Sequence, residues 1–404
     1  MESIELNNII FSLSSYIEKE DFKGWDPYDY LLSWVPFRWF GKMTQAIAVQ
    51  AGKLMPINLR PLMGIPKENN PKGLSLMLRA YCNMYEYSHE GKYLEIANKL
   101  FHRIMSMKND SKYLCWGYPF VWANPHHVHA AFTPSIVVEA FVGFGLFRYF
   151  EVTKDEEAKK AIIKMSDFVH ECLIWTKTKE GCSISYTREE SSYCYNATIL
   201  GAALLARIYS LTKDCNLKSE VEQLTSFVLA HQKEDGHWEY SMNPNTGQEY
   251  SQIDFHQGFI VSALADVEKY CYNGNHKDIR SAIRKGLEYY RKVQFKDYGV
   301  SLWRIPKEYP VEIHNQSQGI ITFSDLSSYD SHYLEFANTI AEWTINNMRS
   351  REGFFYYRKY QLYTIKIPYM RWSQAWMLLA LVTLRKRMTE RQMSAAKQHS
   401  LTEH

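Results

Sequence analysis

Ser135-Ile-Val-Val-Glu-Ala-Phe-Val-Gly-Phe-Gly-Leu-Phe147 is the stretch on which the reading of this chain turns. It carries one charge and no polar face, so a helix formed there must be buried on every side. The segment that follows, from Glu156 to Leu173, has a different character. Ala158, Ile162, Met165, Val169 and Cys172 recur every three or four positions, while Lys159, Lys160, Lys164 and Asp167 take the other side. That spacing predicts a one-sided surface helix.

The alternation continues in both directions. Segments apolar nearly all round begin near Pro71, Thr133, Tyr195, His256, Gln316 and Ser373, at intervals of 62, 62, 61, 60 and 57 residues. Their bodies include ATILGAALLARI (197–208), GFIVSALADV (258–267), GIITFSDL (319–326) and AWMLLALVTL (375–384). One-sided helices are predicted after the first five, from near residues 92, 157, 219, 278 and 332. Each of these ends in a turn with Gly near an aromatic: Trp116-Gly117, Gly181, Gly236 with Trp238, Gly299 with Trp303, and Gly353 with Phe354. Glycine supplies the left-handed residue that stops a helix. Buried helix, surface helix and return loop, six times over, predict an all-α fold: an (α/α)6 toroid of inner and outer helix rings, with short β turns or strands in the connections. The sixth inner helix has no surface helix after it, and the N-terminal helix around Ile4 to Ile17 is expected to close the ring. Residues 1–388 then form a single domain, with 1–70 supplying the closing helix and lid-like loops and 389–404 a polar tail. An open solenoid is the competing arrangement, but solenoid repeats run about 34 to 47 residues.

Composition narrows the class. Lys and Arg number 47 against 44 Asp and Glu, a net charge of +3 that gives no reason to expect a nucleic-acid partner. Aromatic residues make up 15% of the chain, enough to line a cleft as well as fill a core. Seven cysteines without a C-x-x-C are read as reduced thiols, and MESIELNNII lacks a basic leader, so a cytoplasmic protein is expected. No uncharged apolar run approaches the roughly 20 residues of a transmembrane segment.

Six helical hairpins of this length resemble the (α/α)6 toroid superfamily: six-hairpin glycosidases, polysaccharide lyases, sugar epimerases of the N-acylglucosamine and glucuronyl C5 kinds, and terpenoid cyclases. Gln232-Lys-Glu-Asp-Gly236-His-Trp238 is similar to the Q-x-x-x-G-x-W turn of terpenoid cyclases, read here as a structural turn shared across toroids. The stretches before the last two inner helices, Glu312 to Gln318 and Tyr369 to Trp376, look like the loop-to-helix transitions of carbohydrate-active toroids. The resemblance implies a carbohydrate substrate and no cofactor.

In such a ring the N-termini of all inner helices converge on one end, with free N–H groups and positive dipole ends. The residues just before those helices are polar and aromatic throughout, beyond what capping requires. They predict one cleft. Asp254 and Glu312 are the candidate acid and base for glycosidic hydrolysis, the first expectation, since hydrolysis needs two carboxyl groups. Tyr195, His256 and His314 with Arg371 are the alternative set, for uronate lyase or C5-epimerase chemistry, in which a base takes the proton beside a neutralised carboxylate. Trp25, Asp26, Asn124, His127, Asn196, Gln257, Gln318, Trp372 and Gln374 are the candidate substrate-binding residues. His126, His127 and His129 invite a metal reading, but hydrogen-bonding histidines account for them, and no metal is expected. A toroid that binds a glycan or a protein without catalysis is a further alternative. Terpenoid cyclisation lacks its acid-rich signature here.

Overall fold

The computed structural model describes residues 3–123, 128–190 and 192–402. Six inner helices alternate with outer ones. The inner set is α3 (Pro71–Ser88), α5 (Ile136–Thr153), α7 (Tyr195–Thr212), α9 (His256–Tyr272), α11 (Ile313–Asp325) and α13 (Trp376–Thr402). The outer set is α4 (Gly91–Ser106), α6 (Glu156–Cys172), α8 (Cys215–Ala230), α10 (Lys277–Val293), α12 (His332–Met348) and α1 (Ser3–Lys19). A further helix, α2 (Gly41–Leu54), stands outside both rings. The (α/α)6 toroid expected from the sequence is the fold of this chain. α13 packs on both α11 and α3, and α1 packs on α13, so the ring is closed. α13 opens with a π-helical turn, Met370–Ala375, and its helix runs on through the polar residues after 388 to Thr402.

Why these residues make this ring is clearest where an outer helix turns back inward. There the backbone of the turn is held by a side chain from the next inner helix. Gln257 accepts from the Trp238 N–H at 2.9 Å and donates to the Trp238 carbonyl at 2.6 Å. Gln374 does the same to Phe355, at 2.8 Å in both directions. Gln316 accepts from the Ser301 N–H at 2.7 Å and donates to the Gly299 carbonyl at 3.0 Å. In the third unit two hydroxyls, Ser183 and Thr198, meet at 3.1 Å. In the second, Glu139 accepts from the Trp116 N–H at 2.6 Å. The holding residues, 139, 198, 257, 316 and 374, are 59, 59, 59 and 58 residues apart. This register is tighter than the one read from hydrophobicity.

The glycine of the turn lies two residues before the held backbone at Gly181, Gly236, Gly299 and Gly353. At Gly236 φ is +101°, and a Cβ would lie 2.3 Å from the Lys285 carbonyl on α10. At Gly353 a Cβ would lie 2.4 Å from Ser12 Oγ, on α1. Each turn thus lies against the next outer helix, and α1 fills the sixth outer place. Gln232 bridges the Gly236 and Ala282 carbonyls, at 2.9 Å each, so the Q-x-x-x-G-x-W stretch is the structural turn it was read as.

Links from inner to outer helices are short; links from outer to inner are long and carry paired two- and three-residue strands. In one such sheet Arg358–Lys359 is central, with Thr364–Ile365 and Val311–Glu312 on either side, both antiparallel, and Glu312 lies directly opposite Arg358. The long links therefore gather at the end where the inner helices begin. No described helix is long and apolar enough to cross a membrane.

Glu139 is fully buried, one carboxyl oxygen has no partner among the described residues, and desolvation holds its pKa well above the usual carboxylate range, against the Trp116 hydrogen bond. A protonated carboxyl there imitates the glutamine of the later units. The raised pKa contributes stability that is full below the unfolded value, about 4.3, and is lost as pH rises toward the folded value. Glu139→Gln should therefore gain stability over the native chain as pH increases from 5 to 7, by up to about 1.4 kcal/mol per pH unit. Urea unfolding midpoints at three pH values measure it.

Candidate active site

Three residues at matching places in successive units meet on the ring axis: Phe255, His314 and Trp372. The Phe255 and His314 rings stack at 3.9 Å, His314 stands edge-on to Trp372 at 4.8 Å, and Phe255 meets Trp372 at 6.1 Å. One helical turn deeper lie Phe141, Phe259 and Trp376, with pairwise ring separations of 5.2 to 5.5 Å. The Lys72 ammonium sits on this deeper layer, 4.1 Å from the centre of the Phe141 ring. Beyond the layer, a cavity of about 420 Å³ opens toward the opposite end of the ring, with Gln318 in its wall.

Polar groups concentrate on the near side. His256, first residue of α9, directs Nδ1 at Asp254 Oδ1, 2.5 Å away. A carboxylate only accepts, so Nδ1 carries the hydrogen and Nε2 is left as the basic nitrogen. Asp254 is fixed in turn by the His256 N–H at 3.1 Å and by Gln252 at 2.9 Å. His314 is 1% exposed, and neither ring nitrogen has a hydrogen-bond partner among the described residues. Desolvation holds its pKa well below the usual imidazole value, reinforced by Lys72, His256 and Arg371, so the ring is neutral. Lys72 is buried and makes no ion pair among the described residues; desolvation and Arg371 push its pKa well down, against Asp26.

The remaining charges are committed to one another. Arg371 grips Asp26 with two bonds of 2.6 and 2.7 Å. Burial opposes the arginine charge, but the Asp26 carboxylate more than offsets it and raises the pKa. Asp29 pairs with Arg60 at 2.7 Å, and Arg60 also reaches the Asp26 carbonyl at 3.1 Å. These buried pairs fasten the segment before α3 onto the ring. Glu312 is taken by Arg358, at 2.7 and 2.5 Å, and by Trp372 Nε1 at 2.9 Å. Tyr28 packs on Trp372 at 5.5 Å and accepts from Lys53 of α2 at 3.0 Å, so α2 roofs this end.

Of the residues named from sequence, Asp254, His256, Glu312, His314, Arg371, Trp372 and Asp26 come together here. Trp25 lies beside them, its Nε1 donating to the Ile65 carbonyl at 3.0 Å. Others point elsewhere. The Tyr195 ring packs on Phe227 and His231 of α8 and its hydroxyl donates to Glu249 at 2.9 Å, so it lies between the rings of helices. Asn196 is buried and bonds the Cys194 thiol at 3.2 Å. Gln257 and Gln374 hold turns, and Gln318 bonds Thr322 at 2.9 Å. Asn124, His126 and His127 lie outside the described residues. His129 stacks on Trp122 at 4.1 Å and meets Glu190 at 2.9 Å. Lys72, named from sequence only as a possible carboxylate partner, stands nearer the axis than its position suggested.

No protein-family model matches the chain, and no curated protein matches it. Solved structures do. Cellobiose 2-epimerase from Spirochaeta thermophila superposes with a TM-score of 0.61 at 14% identity, over 80% of this chain and 87% of that one. A GH76 α-mannanase from Bacteroides thetaiotaomicron gives 0.60 at 11% identity, over 80% and 88%. A polysaccharide lyase gives 0.60 at 9% identity, over 98% of this chain and 99% of the other. All share the (α/α)6 toroid, and at these identities the likeness is one of fold.

The depressed His314 pKa carries a sign. Its stability contribution is present above the unfolded value, about 6.5, and is lost as pH falls below it toward the folded value. Relative to His314→Phe, which fills the same aromatic slot without titrating, the native chain should lose about 1.4 kcal/mol on going from pH 6.5 to 5.5. Denaturant unfolding of both proteins at the two pH values provides the check.

Proposed function

We propose that this chain is a carbohydrate-active enzyme that moves a proton at a sugar carbon next to a carbonyl or carboxylate, as an epimerase, isomerase or lyase does. The observation that carries the reading is the pair His256 and His314. One imidazole is oriented by Asp254 and offers Nε2. The other is buried, neutral and without a hydrogen-bond partner among the described residues. A buried polar group left unpaired costs about 1 to 3 kcal/mol, a cost that a functional role explains. Neutral imidazoles are suited to take a proton and return one. The aromatic rings around them suit the apolar face of a sugar, and Lys72 faces the same rings, placed to stabilise charge that develops on oxygen. The solved structures named above include an epimerase, a lyase and a mannanase, which makes sugars the natural substrate class to test.

Hydrolysis by Asp254 and Glu312, the first expectation from the sequence, ranks lower in this reading. A general acid must keep a proton. Glu312 is instead held by an arginine and an indole N–H, and Asp254 serves its histidine.

The test is solvent exchange. In deuterium oxide, NMR of a panel of aldoses, ketoses, disaccharides and uronates should reveal deuterium entering one carbon-bound position. His256→Asn and His314→Asn should each slow that exchange by about 10²-fold or more. Release of reducing ends that survives His256→Asn and disappears in Glu312→Gln would replace this reading with hydrolysis.

A further inference from the structure

From Ser33 to Lys67 the chain contains no Asp or Glu, but five cations: Arg38, Lys42, Lys53, Arg60 and Lys67. The helix within this segment, α2, is apolar on two sides. Ala48, Val49 and Gly52 face inward, with Gly52 against the Tyr30 ring. On the outer side Met43, Ile47 and Leu54 fall within about 40° of one another around the axis, at 100° per residue. They are 64%, 60% and 51% exposed. Trp39 and Phe40, in the turn leading into α2, are 85% and 64% exposed. A helix on a protein surface normally turns polar residues outward. Here the outward face is apolar and aromatic, and Lys42 beside it is exposed.

We propose that α2 and the turn before it form an interfacial anchor that lays this end of the toroid on an anionic lipid bilayer. Trp and Phe favour the headgroup level, aliphatic side chains enter the acyl boundary, and cations meet the negative surface. The charge pattern selects lipid over a second copy of this chain. An isologous contact through the same patch would set two acid-free basic surfaces face to face. Because Lys53 of α2 bonds Tyr28 above Trp372, the anchor is the roof of the candidate active site. The proposal is independent of which reaction occurs beneath it.

Sedimentation of the full chain with vesicles provides the test. Vesicles of phosphatidylcholine and phosphatidylglycerol in equal parts should bind it, pure phosphatidylcholine should bind it less, and high salt should release it. Met43→Glu with Ile47→Glu should lower vesicle affinity at least about tenfold. Lys42→Ser should lower it about fivefold. Both lesions sit on exposed side chains, and unchanged circular dichroism and unfolding midpoints would show that the fold is kept. If the double variant fails to fold, Trp39→Ser serves in its place. Three results would overturn the proposal: a native chain that stays in the supernatant, vesicle binding indifferent to these substitutions, or a dimer by light scattering that the same substitutions dissociate.

Discussion

The toroid depends on one repeated interaction: a buried side chain of an inner helix that holds the backbone of the turn before it. Every outer helix ends by exposing backbone groups that must be satisfied as the chain dives inward. A primary amide suits this duty because it donates and accepts at once, so Gln257, Gln316 and Gln374 each close a two-way clasp. Where a carboxyl takes the position, burial forces it to keep its proton. The clasp fixes the axial height of each inner helix. Residues two positions before and two after it therefore fall into common layers, Phe255, His314 and Trp372 in one and Phe141, Phe259 and Trp376 in the other.

That layering explains what could be read in the sequence and what could not. Inner helices lack a polar face, so their starts were legible to within three residues, with Ile136, Ile313 and Trp376 against the expected Thr133, Gln316 and Ser373. The 59-residue register was hidden because Glu, Thr and Gln share little in composition. Gln257 and Gln374 instead resembled sugar ligands, since a polar residue opening a buried helix has no visible partner until the preceding turn is placed. The gathering of His256, His314 and Trp372 followed from parallel inner helices alone. The ion pairs did not. Asp26 and Arg371 are 345 residues apart, and no local pattern couples them.

The same reasoning separates the acids from the bases. Asp26, Asp29 and Glu312 are each met by an arginine in a region of low exposure. Breaking such a pair leaves a buried charge, which costs about 3 to 5 kcal/mol. These carboxylates therefore bind the roof and the mouth of the site together. The imidazoles remain as groups whose protons are available, and they stand where rings from three units converge.

The clasp also uncouples one end of the molecule from the other. Successive holding residues keep an almost constant spacing, whereas the turns they hold, at 116, 183, 238, 301 and 355, are separated by 67, 55, 63 and 54 residues. Variation in length is absorbed wholly in the links that frame the mouth. A segment lying between a held turn and the following helix can thus be exchanged, lengthened or trimmed while the barrel stays in register. Evolution, or a designer making chimaeras, is free to remodel specificity at that rim without refolding the body that carries it.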